Sequence, residues 1–192
     1  MKLMLITLVI LITNQTQIKP TSTMANKEII LEDFSPDNHL EWQIINDGVM
    51  GGLSEGRFKI NPDQTADFWG NVSLENNGGF ASVRALLRKP ASGNFQKIVL
   101  RARGDGKTYS FRIRTDANFD GVAYACNFTT KKDEWTEHEF SPTDFTPTFR
   151  GRILQNVSPL NETQIMQIGF LISEKQTGDF SLKLDWIKIA DR

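Results

Sequence analysis

Residues Lys97 to Arg114 read KIVLRARGDGKTYSFRIR, with apolar side chains at every second position on both sides of an Asp105-Gly106 pair. A period of two puts those side chains on one face of an extended chain, so the stretch commits the molecule to β-structure. A turn at Asp105-Gly106 with φ > 0 at both residues predicts a hairpin. It would pair Ala102 with Tyr109, Leu100 with Phe111 and Ile98 with Ile113. The opposite face then collects Lys97, Arg101, Arg103, Arg112 and Arg114, and a one-residue slip would carry these charges into the core.

The same pattern recurs in FWGNVSLENNGGFASVRALL, Phe68 to Leu87. A turn at Asn77-Gly78 predicts Leu74 opposite Ala81, Val72 opposite Val83 and Phe68 opposite Leu87, with Arg84 on the second face. Near the C-terminus Phe180, Leu182, Leu184 and Trp186 alternate with polar residues, and Met166, Ile168, Phe170 and Ile172 define one more face. Short strands separated by turn residues predict an all-β sandwich or barrel. Ser141 to Asn161, with three prolines, reads as a long surface connection containing one helical turn. The chain of 192 residues suffices for one domain with a sizeable core, and thirteen Phe and four Trp supply large rings for it.

Residues 1–27 read differently. Lys2 precedes the apolar run Leu3 to Ile12, a signal-like leader too short to span a bilayer comfortably. Export or membrane association is one expectation. If Met24 is the true start, the protein is cytoplasmic or organellar. Residues 28–192 form the expected domain. Asn-x-Ser/Thr sequons at Asn14, Asn71, Asn127, Asn156 and Asn161 matter only on a eukaryotic secretory route.

The catalytic inventory is poor. Cys126 is the single cysteine, which excludes an internal disulfide and a cysteine-based zinc site. It reads as a small buried hydrophobe, and His138 as a strand histidine on a polar face. No paired metal-ligand motif, nucleophile elbow or phosphate loop is present in the sequence. The chain therefore reads as a non-enzymatic binding protein with no cofactor. A formal net charge of −1 gives no global attraction to nucleic acid, and no aromatic residues are interleaved with the Arg positions for base stacking.

Two features remain as candidate binding surfaces. One is the Arg face, with Arg84 beside it. Either acids on neighbouring strands, with Glu137, Glu139 and Asp185 as candidates, neutralise these cations, or an anionic partner does. The other is the glycine-rich loop NDGVMGGLSEG, which sits between the expected strands EWQII and GRFKI. It lacks the spacing and the following helix of a dinucleotide site, so it reads as a tight double turn that could present Asn46, Asp47 and Met50. Asn76 and Asn77 mark the second loop.

The order of NDGVMGG, NNGGFASVR, RGDG and a terminal DWI resembles the complex I intermediate-associated protein 30 (CIA30) family, from roughly Glu28 to Ala190. The resemblance implies a galactose-binding-domain-like jelly roll. It also implies an assembly factor or chaperone whose protein partners are subunits of a membrane complex, best known for respiratory complex I. Some relatives add a nucleotide-binding Rossmann domain. This chain is expected to be the binding domain alone. The alternative is a secreted carbohydrate- or small-ligand-binding module, for which Trp69, Trp135 and Trp186 are the candidate glycan-stacking residues on one sheet.

Overall fold

The computed structural model describes residues 28–190, apart from residues 38, 94, 119 and 161–163. The leader lies outside the described residues. Thirteen strands follow in chain order: β1 (Glu28–Glu32), β2 (Trp42–Asn46), β3 (Glu55–Ile60), β4 (Ala66–Val72), β5 (Ala81–Ala91), β6 (Lys97–Gly104), β7 (Thr108–Arg114), β8 (Ala123–Thr129), β9 (Trp135–Phe140), β10 (Thr146–Phe149), β11 (Arg152–Ile153), β12 (Ile165–Ile172) and β13 (Gly178–Ala190).

They build two antiparallel sheets. The first runs β3-β4-β13-β6-β9, with β1 also paired to β13. The second runs β11-β10-β8-β7-β12-β5-β2. Their inner faces interleave into one core, in which Phe68, Phe111, Phe170, Ile98, Leu100 and Ile113 are sealed from solvent. Rings run through it: Phe170 lies 5.3 Å from Phe111 and 6.2 Å from Trp42, which stacks on Phe58 at 4.9 Å. This is the β-sandwich expected from the alternation, in the jelly-roll form that the family resemblance implies. Among the described residues no helix is long and apolar enough to cross a membrane.

Both predicted hairpins are arches instead. β6 pairs with β13 and β9, whereas β7 pairs with β8 and β12, so Leu100 and Phe111 face each other across the sandwich. β4 and β5 are divided between the sheets in the same way. The turns explain why. Gly106 has φ 92° but Asp105 is not in the left-handed region, and Asn76 and Asn77 take φ 53° and 59° where Asn77-Gly78 was expected to turn. The first turn lacks the pair of positive φ values of a two-residue hairpin, and the second has its pair one residue earlier than expected, at Asn76-Asn77. Asp105 instead accepts hydrogen bonds from the Lys107 amide (3.0 Å), the Tyr109 hydroxyl (3.0 Å) and, from the neighbouring β13, the Ser181 amide (3.1 Å).

Trp186 also departs from its expected face. A bulge between Leu184 and Trp186 shifts the alternation, so Ile187 and Ile189 enter the core and Trp186 turns outward under the Lys188 ammonium, 4.6 Å from its ring. The segment Ser141 to Asn161 holds the expected helical turn at Pro142–Asp144, but also β10 and β11. Pro147 hid β10, since a proline within a short run argues against a strand; here it stands opposite Tyr124 of β8, one strand in from the sheet edge.

Candidate functional site

Splitting β6 from β7 splits the Arg face. Lys97, Arg101 and Arg103 lie on the outer face of the six-stranded sheet, and each has an acid. Lys97 pairs with Glu139 at 3.0 Å, Arg101 with Asp185, and Arg103 with Asp133 at 3.5 Å. Two of these counter-ions, Glu139 and Asp185, are among those anticipated from the sequence. Arg101 also covers the Trp135 ring at 4.9 Å.

Arg84, Arg112 and Arg114 occupy the outer face of the other sheet, where they line a cleft of about 540 Å³. The sheet is its floor. Met50 and Phe80 stand at one side, and Asp120, Gly121 and Arg150 at the other. The register places Gly169 of β12 directly between Arg84 on β5 and Arg112 on β7. A Cβ at Gly169 would come within 2.6 Å of the Val83 carbonyl and 2.8 Å of the Arg84 Cβ, so only hydrogen fits, and the floor stays hollow between the two arginines. One step along, Gln167 lies opposite Arg114 and donates to the carbonyls of Asp116 (2.8 Å) and Asn118 (3.0 Å), which fixes the β7–β8 loop as a wall. Arg114 donates to the Gly121 carbonyl and Arg150 pairs with Asp120.

Arg112 is unlike the others. Its Nε is enclosed and has no hydrogen-bond partner, and its side chain forms no ion pair among the described residues. Burial, and then the neighbouring Arg114 charge, push its pKa down to about 10. Burial also lowers Arg84 and Arg114, opposed for Arg84 by Asp120 and for Arg114 by Asp116 and Asp120.

The glycine-rich loop has a structural task. Asn46 leads into a short 3-10 turn, Asp47–Met50, and Asp47 is wholly buried. Its carboxylate accepts from the Ser54 amide (3.0 Å) and hydroxyl (2.5 Å), and from the amides of Gly79 (2.6 Å) and Phe80 (3.2 Å). One carboxylate therefore ties together the two loops that carry the most distinctive motifs. Gly52 and Gly78 close in on it, with space for a Cβ only 2.4 and 2.6 Å from its atoms. Asp47 is thus enclosed rather than presented to a partner, while Asn46 is half-buried, with its Nδ2 3.5 Å from the Gly56 carbonyl. Met50 is 62% exposed at the cleft rim, beside Leu53 at 54% and Leu74 at 44%. Asn76 and Asn77 are exposed on the second loop. Of the ten residues singled out from the sequence, the fold gathers Met50, Arg84, Arg112 and Arg114 in one cleft. Gly169 and Gln167 were missed, because a glycine and a glutamine inside an apolar strand look like padding until the neighbouring strands are known.

A second depression, beside Trp69 on the six-stranded sheet, is internally satisfied: Arg57 meets Glu55 at 3.5 Å, Asn71 meets Asp179 at 2.9 Å and Asn61 meets Asp67 at 2.9 Å. Trp69, Trp135 and Trp186 all lie on this sheet, away from the cleft. His138 does not sit on a polar face. It projects inward, with its ring 4.7 Å from Phe128 and Nε2 2.9 Å from the Thr136 hydroxyl, and burial lowers its pKa. Burial, then Asp144, raises the Cys126 thiol pKa, which suits the packing role expected for it. Among the described residues no group of three or more His, Cys, Asp and Glu side chains could hold a metal ion.

The two-sheet jelly roll is an architecture shared with carbohydrate-binding modules. The family 11 module from a cellulosomal cellulase of Clostridium thermocellum superposes with a TM-score of 0.66 at 19% identity, over 85% of this chain and 94% of that one. The same module in complex with a β-1,3-1,4-mixed-linked tetrasaccharide gives 0.62 at 18% identity, over 84% and 94%. These likenesses concern the fold. The sequence supplies the family: residues 32–184 match the model for complex I intermediate-associated protein 30, and the chain belongs to that family. The mitochondrial protein of that name from Mus musculus is 26% identical over 78% of this chain and 52% of its own length. An uncharacterized protein of Schizosaccharomyces pombe is 29% identical over 80% of both chains. The chain spans about half the length of the mouse and Caenorhabditis elegans relatives, 52% and 44%.

Proposed function

We propose that this chain is a non-enzymatic binding module whose ligand, a saccharide, lies in the cleft over the seven-stranded sheet. The observation that carries this reading is the cleft itself: a hollow floor at Gly169 ringed by guanidinium groups, at least one without a protein partner. Guanidinium forks suit the clustered oxygens of sugars and their substituents. The solved structures of similar fold support the ligand class, since they are carbohydrate-binding modules by name and one holds a tetrasaccharide. Binding to an oligosaccharide panel tests it. Ser82→Trp, which fills the cleft from β5, is expected to abolish binding, and Trp69→Ala to leave it intact. A blank panel, or binding that survives Ser82→Trp, would contradict the proposal.

A second reading comes from the family, whose characterised members are named for association with complex I intermediates. Here the module would assist assembly of a membrane complex by gripping a protein subunit. The exposed apolar side chains of Met50, Leu53 and Leu74, which stand on the two loops bound through Asp47, favour it. Leu53→Asp with Leu74→Asp, both outside the cleft lining, would then lose a co-purifying partner while leaving oligosaccharide binding unchanged.

A further inference from the structure

We infer that the ligand of this cleft is an acidic saccharide, with a uronic-acid carboxylate held by Arg84, Arg112 and Arg114. The inference rests on the reading of the cleft as the binding site and names the chemistry of its ligand.

Charge is the first argument. The charged residues lining the cleft are Arg84, Arg112, Arg114, Arg150 and Asp120, four cations against one acid, in a chain whose formal net charge is −1. The excess is local, and the other half of the molecule shows that it is not the rule. On the outer face of the six-stranded sheet Arg57, Lys97, Arg101, Arg103, Lys183 and Lys188 each have a carboxylate within salt-bridge range. Across the sandwich the single lining acid, Asp120, pairs with Arg150 and also acts on Arg84 and Arg114, with Asp116 acting on Arg114, so among the described residues Arg112 is the lining cation that no acid opposes.

Arg112 supplies the second argument. Its strand neighbours are Gly169 on one side and Ala125 on the other, so neither can neutralise or hydrogen-bond it through a side chain. Its Nε–H is enclosed without an acceptor. Keeping a half-buried guanidinium in this state costs stability. An incoming carboxylate would reduce that cost by neutralising the guanidinium from the cleft side and accepting its terminal N–H groups, a bidentate geometry for which the planar fork is suited.

The third argument concerns what the cleft lacks. Its ring-bearing lining residues are Phe80 and Phe170, and Phe170 is only 1% exposed because it belongs to the core. One open ring is a poor stacking platform for the apolar faces of a neutral glucan, which leaves the guanidinium groups as the most specific contacts the cleft offers. A ligand that brings its own negative charge meets that field.

Calorimetric titration of the full chain with tetragalacturonate, a neutral mixed-linked β-glucan tetrasaccharide and inorganic phosphate tests the inference. Tetragalacturonate is expected to bind at least about tenfold tighter than the neutral oligosaccharide, and to weaken as salt is raised. Arg112→Met, which keeps the aliphatic stem, should erase that preference with the thermal midpoint unchanged or higher. Arg112→Lys, which keeps the charge without the fork, should retain part of it. Arg101→Ala on the opposite sheet should change nothing. Equal affinity for the acidic and neutral oligosaccharides would overturn the acidic ligand and leave the saccharide cleft standing. Phosphate binding without either saccharide would keep the oxyanion site but overturn the saccharide. Silence in all three titrations would overturn both.

Discussion

Two buried carboxylates organise the loops at the rim of this sandwich, and each acts through complete hydrogen bonding. Glu32, 2% exposed, accepts from the amides of Asp33, Phe34 and Leu40 and from the Trp42 indole, between 2.8 and 3.0 Å. Asp47 does the same for the two glycine-rich loops. Asp47→Asn keeps the shape but points an amide at backbone donors, and is expected to cost about 2–4 kcal/mol in urea unfolding. The pH dependence follows from the balance at this site. Burial raises the Asp47 pKa, but the Ser54 hydroxyl and the Gly79, Phe80 and Ser54 amides together outweigh it, and the folded value lies below the ordinary one. The folded state therefore binds fewer protons here than the unfolded chain. Its stabilisation is full above the unfolded pKa of about 4 and is lost as pH falls through the lowered folded value. Acid unfolding of Asp47→Asn should lack that component. The sequence identified this loop as special, but assigned Asp47 to a partner surface. Acidic side chains are mostly exposed, and the four donors that bury this one come from positions up to thirty-three residues away.

At the level of strands, alternation revealed which side chains face inward and left open which strands are neighbours. The apolar faces of β6 and β7 bury each other whether the strands lie side by side in one sheet or face to face across two, so periodicity alone cannot separate a hairpin from an arch. That ambiguity merged two Arg clusters with opposite fates. Both cation sets were legible in the sequence, while their separation required strand order. The bulge in β13 was equally hidden, since Trp186 continues the apolar alternation in the sequence. β12 carries the position most sensitive to change in the cleft. Gly169→Val would drive side-chain atoms into the Val83 carbonyl and the Arg84 stem. The expected cost is about 1–3 kcal/mol in thermal or urea unfolding, with saccharide binding weakened more than stability because the hollow between Arg84 and Arg112 is filled.

The whole molecule presents two outer faces of different character. One carries Trp69, Trp135, Trp186 and the ion-paired Lys97, Arg101 and Arg103, and the other carries the cleft. Exposed ion pairs contribute little, so Arg101→Ala and Arg103→Ala should each change stability by about 1 kcal/mol or less and leave saccharide binding untouched. The family and the jelly roll were both legible from ordered motifs and strand spacing. The position of the proposed site was not, because it draws on β5, β7 and β12, whose adjacency is a property of the sheet. The most direct test is amide chemical-shift mapping of the ¹⁵N-labelled chain during titration with tetragalacturonate. Saturable shifts should centre on Arg84, Gly169, Arg112 and Arg114, with the Trp69, Trp135 and Trp186 face unchanged. Shifts centred on that tryptophan face, or no saturable shifts at all, would contradict the account.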